Sequence, residues 1–264
     1  DVHYDYKLAL ASLEAGVHKL RINPSNLTKE GISLVAKEAK SLNVPIRVGV
    51  NAGSSSERLA PKSLAHLAVD TAKLMEDNGT DQLVLAVKSS SVRDTVEAYR
   101  ELSKLTDYPL HIGLTEAGTE HLGIAKSNIA IGSLLLDGIG DTLRVSLTAN
   151  PIREVVEGHK ILRAIGLEKD FVEVVACPTC ARTTIEVERF AKEIEKATAN
   201  IRRPLKVAVM GCSVNGIGES KGADFGVCGG KTQSLIFKNG KILKTVSNDR
   251  IIEELLKLAE VDCE

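Results

Sequence analysis

Residues 46–87, IRVGVNAGSSSERLAPKSLAHLAVDTAKLMEDNGTDQLVLAV, contain a strand, a helix and a second strand in one continuous run. The outer segments are short and rich in Val, Ile and Leu, whereas the middle segment repeats apolar residues at helical spacing, as at Leu64, Ala68 and Thr71. Gly79 stands where that helix should end. This order predicts two parallel strands joined by a crossover helix, which is the repeating unit of α/β proteins.

The same alternation extends from residue 1 to about residue 175. The predicted strands are Asp1–His3 (the end of an earlier strand), His18–Ile22, Ile46–Val50, Gln82–Val87, Leu110–Gly113, Thr142–Ser146 and Val172–Ala176. The predicted helices are Tyr6–Ala15, Lys29–Leu42, Pro61–Asn78, Ser91–Leu105, Gly118–Leu135 and Pro151–Ile165. We therefore expect a parallel sheet covered by helices over this part of the chain.

The pattern changes after Ala176. It predicts a helix at Thr184–Ala197, a strand at Leu205–Val209, a glycine-rich stretch over 211–230, two strands at Ser234–Phe237 and Lys241–Val246, and a helix at Asp249–Ala259. Asn239-Gly240 between the last two strands is a strong hairpin signal. We therefore expect two domains, 1–170 and 171–264, the second being a small α+β unit.

Composition excludes several classes of function. The 264 residues have a net charge of -1, and the basic residues are dispersed along the chain. With 3% aromatic residues and no Trp, the chain lacks the positive patch and the stacking surface that nucleic-acid binding needs. No apolar run reaches the roughly 20 residues that a membrane span requires. We expect no nucleic-acid partner and no membrane partner.

The cysteines indicate a reducing compartment. There are five, an odd number, and they are clustered late in the chain, unlike a secreted disulfide framework. The expected location is the cytosol or the stroma of an organelle. The first residue is Asp1 and not Met, so we also expect that an N-terminal segment precedes this sequence in the whole protein.

Charged and polar residues recur at or near the ends of the predicted strands, where the sites of parallel α/β proteins lie. They are Asp1, His3, Asp5, Arg21, Asn23, Arg47, Asn51, Lys88, Ser90, Thr115, Glu116, Arg144, Ser146 and Thr148. Cations from four different strands would repel one another in a buried mouth unless an anion joined them. This pattern favours a phosphate or diphosphate ligand. The alternative is that these cations pair with acidic residues nearby or extend into solvent. His66, His111, His121 and His159 are interpreted as packing or surface residues.

Four cysteines form a second candidate site. Cys177-Pro-Thr-Cys180 is followed by Cys212 and Cys228, each in a glycine-rich stretch. Three thiolates near glycines, where backbone amides can approach sulfur, favour an iron–sulfur cluster. Zinc uses similar spacing, and a lone Cys-x-x-Cys can be a redox pair, so both remain alternatives. Spacing alone nominates Cys228 as the remaining ligand.

Six motifs together resemble one known family. They are Asp1-Val-His-Tyr-Asp-Tyr6, Arg21-Ile-Asn-Pro24, Arg47-Val-Gly-Val-Asn51, Leu114-Thr-Glu-Ala-Gly118, Cys177-Pro-Thr-Cys180 and Gly211-Cys-Ser-Val-Asn-Gly216. Over the whole chain they resemble the hydroxymethylbutenyl diphosphate synthases, the IspG or GcpE family of the non-mevalonate isoprenoid pathway. The resemblance implies a TIM-type (β/α) barrel followed by an iron–sulfur domain, in a homodimer. It also implies reductive opening of 2-C-methyl-D-erythritol 2,4-cyclodiphosphate to (E)-4-hydroxy-3-methylbut-2-enyl diphosphate, with electrons from flavodoxin or ferredoxin.

The resemblance also assigns residues. It implies that a [4Fe-4S] cluster is held by Cys177, Cys180, Cys212 and, in place of Cys228, Glu219. Glu116 matches the family's acid/base residue. The implied substrate-binding residues are Asp1, His3, Arg21, Asn23, Arg47, Asn51, Lys88, Arg144 and Ser146. The family's barrel begins two βα units earlier, so the barrel of this chain is expected to be N-terminally incomplete. The competing hypothesis is a phosphate-binding barrel with structural zinc and no redox activity.

Overall fold

The computed structural model describes residue 2 and residues 4–52, 59–214 and 216–261, and the side chains of Ile217, Glu219 and Val261 lie outside that description. The chain forms two compact units, the first ending at Leu167 and the second beginning at Glu168. The boundary predicted from the sequence, between residues 170 and 171, lies close to this division.

The first unit alternates helices with short strands. Its strands are β1 (Leu20–Ile22), β2 (Ile46–Asn51), β3 (Leu83–Lys88), β4 (His111–Ile112) and β5 (Thr142–Leu143). Its helices are α1 (Tyr6–Glu14), α2 (Lys29–Ser41), α3 (Pro61–Glu76), α4 (Val92–Leu105), α5 (Glu120–Leu136) and α6 (Pro151–Ala164), with a short 3₁₀ helix, Pro24–Asn26, after β1. The helices and the strands predicted from His18 to Ser146 are confirmed, although β1, β4 and β5 are shorter than expected. The strand predicted at Asp1–His3 lies outside the described residues except for Val2.

Side-chain caps explain where several helices begin. Thr28 accepts a hydrogen bond from the Gly31 amide at the start of α2, and Ser91 accepts one from the Asp94 amide at the start of α4. At the start of α6, Asn150 Oδ1 accepts a hydrogen bond from the Ile152 amide, and the next residue is Pro151, whose fixed φ suits the first helical turn. Each cap satisfies an amide that has no partner within the helix.

The strands of the first unit are parallel. β1, β2 and β3 form one sheet, with Arg21 opposite Arg47 and Asn51 opposite Lys88. β4 and β5 form a second pair, and a single bridge between Leu85 and Leu110 joins β3 to the segment before β4. Val2 bridges Ile22 at the other edge. In the described ranges these strands do not close into a barrel. Of the expected TIM-type barrel, the structure therefore confirms the α/β arrangement of parallel strands and not the closed barrel.

The two faces of this sheet differ sharply. One face consists of apolar residues such as Ile22, Val48 and Leu85, which are fully buried in a core shared with the helices. Because successive side chains of a strand point to opposite faces, the residues between them lie on the other face. That face carries most of the charged side chains considered below, with Gly49 among them.

The second unit is a mixed sheet with three helices. Its strands are β6 (Val172–Ala176), β7 (Leu205–Met210), β8 (Phe225–Cys228), β9 (Gln233–Lys238) and β10 (Lys241–Ser247). Its helices are α7 (Val187–Ala197), α8 (Gly216–Glu219) and α9 (Ile251–Val261). The strand order is β10-β9-β8-β7-β6, where β6, β7 and β8 are parallel and β9 and β10 pair antiparallel. In neither unit is a described helix both long and apolar enough to cross a membrane.

The hairpin was predicted correctly, but β8 was missed. Asn239 and Gly240 have φ values of +49° and +73°, which suit the two-residue turn between β9 and β10. β8 lies inside the stretch interpreted only as glycine-rich, yet all four of its residues are buried. Gly226 is required there because a Cβ would lie 2.3 Å from the carbonyl oxygen of Ala208. Because glycine is uncommon inside strands, Gly226 made the β8 segment look less like a strand in the sequence.

Candidate active site

Four basic side chains from four strands gather on one face of the first unit. Arg21 lies in β1, Arg47 in β2, Lys88 at the end of β3, and Arg144 directly after β5, where its amide donates to the Ile112 carbonyl over 2.9 Å. Burial and mutual repulsion lower the pKa of Arg21 and of Arg47, with Arg144 among the charges that repel both. We call Arg21, Arg47, Lys88 and Arg144 the cation cluster.

Arg21 is held across the neighbouring strand. Its side chain is largely buried, and Nη2 donates to the Gly49 carbonyl at 3.0 Å and to Asn51 Oδ1 at 3.3 Å. A Cβ on residue 49 would lie 2.5 Å from Arg21 Nε. The glycine in the Arg-Val-Gly-Val-Asn motif therefore makes room for a guanidinium, and Asn51 helps to fix it.

Lys88 has the most perturbed charge of the cluster. Only 4% of the residue is exposed. Burial, followed by repulsion from Arg144, Arg47 and Arg21, lowers the pKa of Lys88 to about 7. Among the residues that the structure describes, no carboxylate forms an ion pair with Lys88 or Arg144. A buried group of like charges is costly without a counter-ion, so this face favours a multiply charged anion.

His111 lies among these charges, a position that the sequence did not predict. The ring is 8% exposed, and Nδ1 lies 2.8 Å from Thr142 Oγ1. Burial, with added repulsion from Arg47, Lys88, Arg144 and Lys19, lowers the pKa of His111 to about 3. His111 is buried, as the interpretation as a packing residue predicted, but the expectation that it lacks charged neighbours was wrong. No local pattern in the sequence marks His111, because its charged neighbours lie on other strands and reach it only through strand register.

Glu116 occupies an exposed turn after β4. Its φ of +53° is unusual for a residue with a side chain, and Gly118 follows at +103°. The preceding Thr115 amide donates to the Ser89 carbonyl at 3.3 Å, which ties this turn to the segment after β3. Strained backbone of this kind persists where the surroundings enforce it, often at functional sites.

In the second unit, the carboxyl ends of the adjacent parallel strands β6, β7 and β8 carry Cys177, Cys212 and Cys228, and Cys180 lies in the loop after Cys177. Cys177 follows β6, and its Sγ accepts a hydrogen bond from the Gly211 amide at 3.1 Å. Cys180 is exposed, and hydrogen bonds from the Arg182 amide and the Thr183 hydroxyl lower the pKa of its thiol. Amide and hydroxyl donors directed at sulfur stabilise thiolate, the form that binds metal.

Cys212 and Cys228 have different surroundings. Cys212 follows β7 and is half-buried, whereas Cys228 ends β8 and is fully buried. Burial, with smaller effects of Cys212 and Cys177, raises the pKa of Cys228 to about 11. Gly216 packs against it so closely that a Cβ would lie 2.5 Å from the sulfur. In the absence of a metal, burial therefore disfavours the thiolate form of Cys228, the form in which a cysteine binds a metal.

The second unit contains thiols whose chemistry can be compared with that of a metal site. In the ranges that the structure describes, no three His, Cys, Asp or Glu side chains are arranged to hold a metal ion. The side chain of Glu219 lies outside those ranges, although its backbone ends the short helix α8. The thiols of Cys177, Cys180 and Cys212, with donors to two of the sulfurs, fit an iron–sulfur group in their chemistry.

Comparison with known proteins decides the family. Residues 1–159 match a family described as the GcpE TIM-barrel domain, and residues 173–261 match the GcpE protein C-terminal domain. A protein of Caldanaerobacter subterraneus named 4-hydroxy-3-methylbut-2-en-1-yl diphosphate synthase (flavodoxin) is 50% identical over 98% of this chain and 76% of its own length. The chain belongs to the GcpE family.

Other relatives in the GcpE family have the same name. The protein from Clostridium acetobutylicum is 47% identical over 99% of this chain and 77% of its own length. The protein from Thermotoga maritima is 46% identical over 97% of this chain and 74% of its own length. Among solved structures, 2,3-dimethylmalate lyase covers 79% of this chain and 62% of its own at 12% identity and a TM-score of 0.24, which is too weak for any argument.

The structure brings together only part of the residue set implied by the GcpE resemblance. Arg21, Arg47, Lys88 and Arg144 share one charged environment, and Asn51 contacts Arg21. Asn23 is buried, and its Oδ1 accepts from the Ser25 amide at 3.2 Å, so at least part of its role is to start the 3₁₀ helix. Ser146 is half-buried after β5 and Glu116 is exposed. Asp1 and His3 lie outside the described residues, as does the Glu219 side chain.

Proposed function

We propose that this chain is the synthase that reductively opens 2-C-methyl-D-erythritol 2,4-cyclodiphosphate to (E)-4-hydroxy-3-methylbut-2-enyl diphosphate. Relatives that are 44–50% identical over nearly the whole chain have the corresponding enzyme name. The structural observation that carries the proposal is the cation cluster, because a cyclic diphosphate supplies the negative charge that would offset its mutual repulsion.

The cation cluster would bind the diphosphate. Arg21 is already fixed by Gly49 and Asn51, so little ordering remains to be done when the ligand arrives. Lys88, with a pKa of about 7 in the empty site, would take up a proton as an anion approaches. Arg47 and Arg144 complete a set of donors from separate strands, which holds both phosphoryl groups in one orientation.

Polar residues around the cluster would complete the site. We assign Asn23, Asn51 and Ser146 as uncharged residues that hydrogen-bond the substrate. Asp1 and His3 are assigned to the same site because both belong to the Asp1-Val-His-Tyr-Asp-Tyr6 motif. Glu116 is assigned the proton transfer at its carboxyl group. Two electrons enter the substrate, the C–O bond that closes the ring breaks, and a hydroxyl leaves as water after accepting that proton.

We assign the [4Fe-4S] cluster to Cys177, Cys180, Cys212 and Glu219. When bound, such a cluster passes electrons singly and has Lewis-acidic iron. The chain's own contribution is the Gly211 amide that donates to Cys177 and the amide and hydroxyl donors that lower the pKa of the Cys180 thiol. A carboxylate is a harder and more labile ligand than a thiolate, so Glu219 would leave one iron more open than the other three.

The partners follow from the reaction. A small one-electron carrier, flavodoxin or ferredoxin, would supply the electrons, and the names of the relatives favour flavodoxin. We also propose a homodimer, on the family resemblance alone.

The test combines metal analysis with separated kinetic constants. Protein purified without oxygen should contain about four irons and four sulfides per chain and should turn over the cyclodiphosphate with reduced flavodoxin. Glu116→Gln should lower kcat with little change in KM, whereas Lys88→Gln should mainly raise KM. Lys73→Gln, on the exposed side of α3, is the matched control and should change neither constant. A colourless protein that binds one zinc and ignores the cyclodiphosphate would overturn the proposal.

A further inference from the structure

His111 has one ring nitrogen engaged and the other unpartnered. Nδ1 lies 2.8 Å from Thr142 Oγ1, while Nε2 is buried and has no hydrogen-bond partner among the described residues. A buried polar atom left without a partner costs about 1–3 kcal/mol. The ring as a whole is more than nine-tenths buried. Such an atom requires an explanation, and a ligand that supplies its missing partner is one.

The register of the strands places this ring on the charged face. His111 is the pairing partner of Thr142, and Arg144 lies two residues farther along the same strand direction. The bridge between Leu85 and Leu110 sets His111 beside Ala86, two residues before Lys88. Side chains two apart lie on one face of a strand, so His111 faces the same space as Lys88 and Arg144.

The charges around the ring agree with this placement. Arg47, Lys88, Arg144 and Lys19 all act to lower the pKa of His111, after the larger effect of burial. The ring is therefore neutral at physiological pH. A neutral ring can donate one hydrogen bond without adding a fifth positive charge to four that already repel one another.

The backbone that carries the ring is rigidly held. The Tyr99 hydroxyl donates to the His111 carbonyl at 2.5 Å and accepts from the Val87 amide at 3.2 Å. The Leu110 amide donates to Asp141 Oδ2 at 2.7 Å. Tyr99 is completely buried in the core, so His111 is fixed from the helix side of the sheet and its ring is preorganised on the other.

We propose that His111 is a further substrate-binding residue: the Thr142 hydroxyl donates to Nδ1, and Nε2–H donates a hydrogen bond to the diphosphate of the bound substrate. This inference rests on the proposed function, because the ligand is the cyclodiphosphate. The role of His111 differs from that of the cation cluster, because a neutral ring orients the diphosphate through a directional hydrogen bond and adds no positive charge.

Two variants separate this role from packing. In His111→Gln the amide reaches the position of Nε2, and in His111→Asn it reaches only the position of Nδ1. We expect His111→Asn to weaken binding of the cyclodiphosphate by roughly 10-fold or more, the usual loss for a hydrogen bond to a charged acceptor, while His111→Gln stays within about threefold of wild type. If His111→Gln bound the cyclodiphosphate more weakly than His111→Asn, the inference would be overturned, and the role of His111 would be limited to its contact with Thr142.

Binding is measured by calorimetry on the anaerobic holoenzyme without reductant, so that no turnover occurs. Lys88→Gln serves as the reference. Weaker binding in Lys88→Gln together with wild-type binding in His111→Asn would overturn the His111 inference and leave the proposed function standing. No binding of the cyclodiphosphate by wild-type protein would overturn both.

A second readout is made on the wild-type protein. In ¹⁵N spectra of the histidine rings, assigned with the His111→Asn variant, Nε2 of His111 should be protonated and Nδ1 should not, without titration between about pH 5 and about pH 8. The Nε2 resonance should move when the cyclodiphosphate is added. A ring that titrates near the ordinary value of 6.5, or a resonance unmoved at saturation, would contradict the proposal.

Discussion

Replacing Lys88 by Met should stabilise the ligand-free protein, and the gain should shrink as the pH rises. Lys88 is 4% exposed, and burial together with Arg144, Arg47 and Arg21 lowers its pKa from the ordinary value of 10.5 to about 7. In the unfolded chain the lysine keeps its proton up to the ordinary value. Between these two values the unfolded state binds more protons than the folded state, so the free energy of unfolding of wild-type protein rises with pH.

The size of the effect follows from the two pKa values. Each unit of pKa difference corresponds to about 1.4 kcal/mol, so the full penalty at pH values below about 7 is of order 4–5 kcal/mol. Between about pH 7.5 and about pH 9.5 the folded protein already has a mostly neutral Lys88, and wild-type protein should regain about 2.5 kcal/mol relative to Lys88→Met. Other groups that titrate in this range, such as Cys228, contribute equally to both proteins and cancel.

The assay is denaturant unfolding of wild-type, Lys88→Met and Lys73→Met protein across this pH range, in buffers without phosphate, which would occupy the site. Lys73 lies on the exposed side of α3 and should show no difference that depends on pH. A difference between wild type and Lys88→Met that stays constant within about 0.5 kcal/mol across the range would refute the reasoning, because the lysine would then not be desolvated among like charges.

Three further predictions concern packing and ligand choice. Gly49→Ala should displace the arginine beside it and weaken binding of the cyclodiphosphate about 10-fold by calorimetry, whereas Gly132→Ala, in open space on α5, should leave binding unchanged. Gly226→Ala should destabilise the second unit by about 2 kcal/mol or more in hydrogen exchange, and native-like protection of β7 and β8 would contradict this. Cys228→Ala should retain the iron content measured for wild type, while Cys177→Ala should lose most of it; equal losses would restore Cys228 as a ligand.

Much of the secondary structure was predictable because its signals are local. The period of apolar residues predicted α3 and the strands on either side of it, and Asn239-Gly240 predicted the hairpin. β8 was not predictable in the same way. Its glycine is present because another strand's backbone lies against it, and that contact is invisible until the two strands are adjacent.

The candidate site was predictable to a similar degree. Arg21, Arg47, Lys88 and Arg144 were found from their position near the ends of strands, where parallel α/β proteins place their chemistry. His111 was misjudged because a histidine in a strand has no distinctive local pattern. Its neighbours come from β2, β3 and the segment after β5, and only the register of those strands brings them to the ring.

The sequence by itself determined the alternation of helices and strands, the hairpin, and the identity of the charged and thiol groups. These depend on residue type and on spacing within one segment, which the chain keeps in any context. Only the tertiary structure decided that Lys88 is desolvated among three arginines, that Cys228 is a core thiol, and that His111 Nε2 has no hydrogen-bond partner among the residues that the structure describes. Burial and electrostatic repulsion arise between residues far apart in the chain, so they exist only after strand register and packing are set.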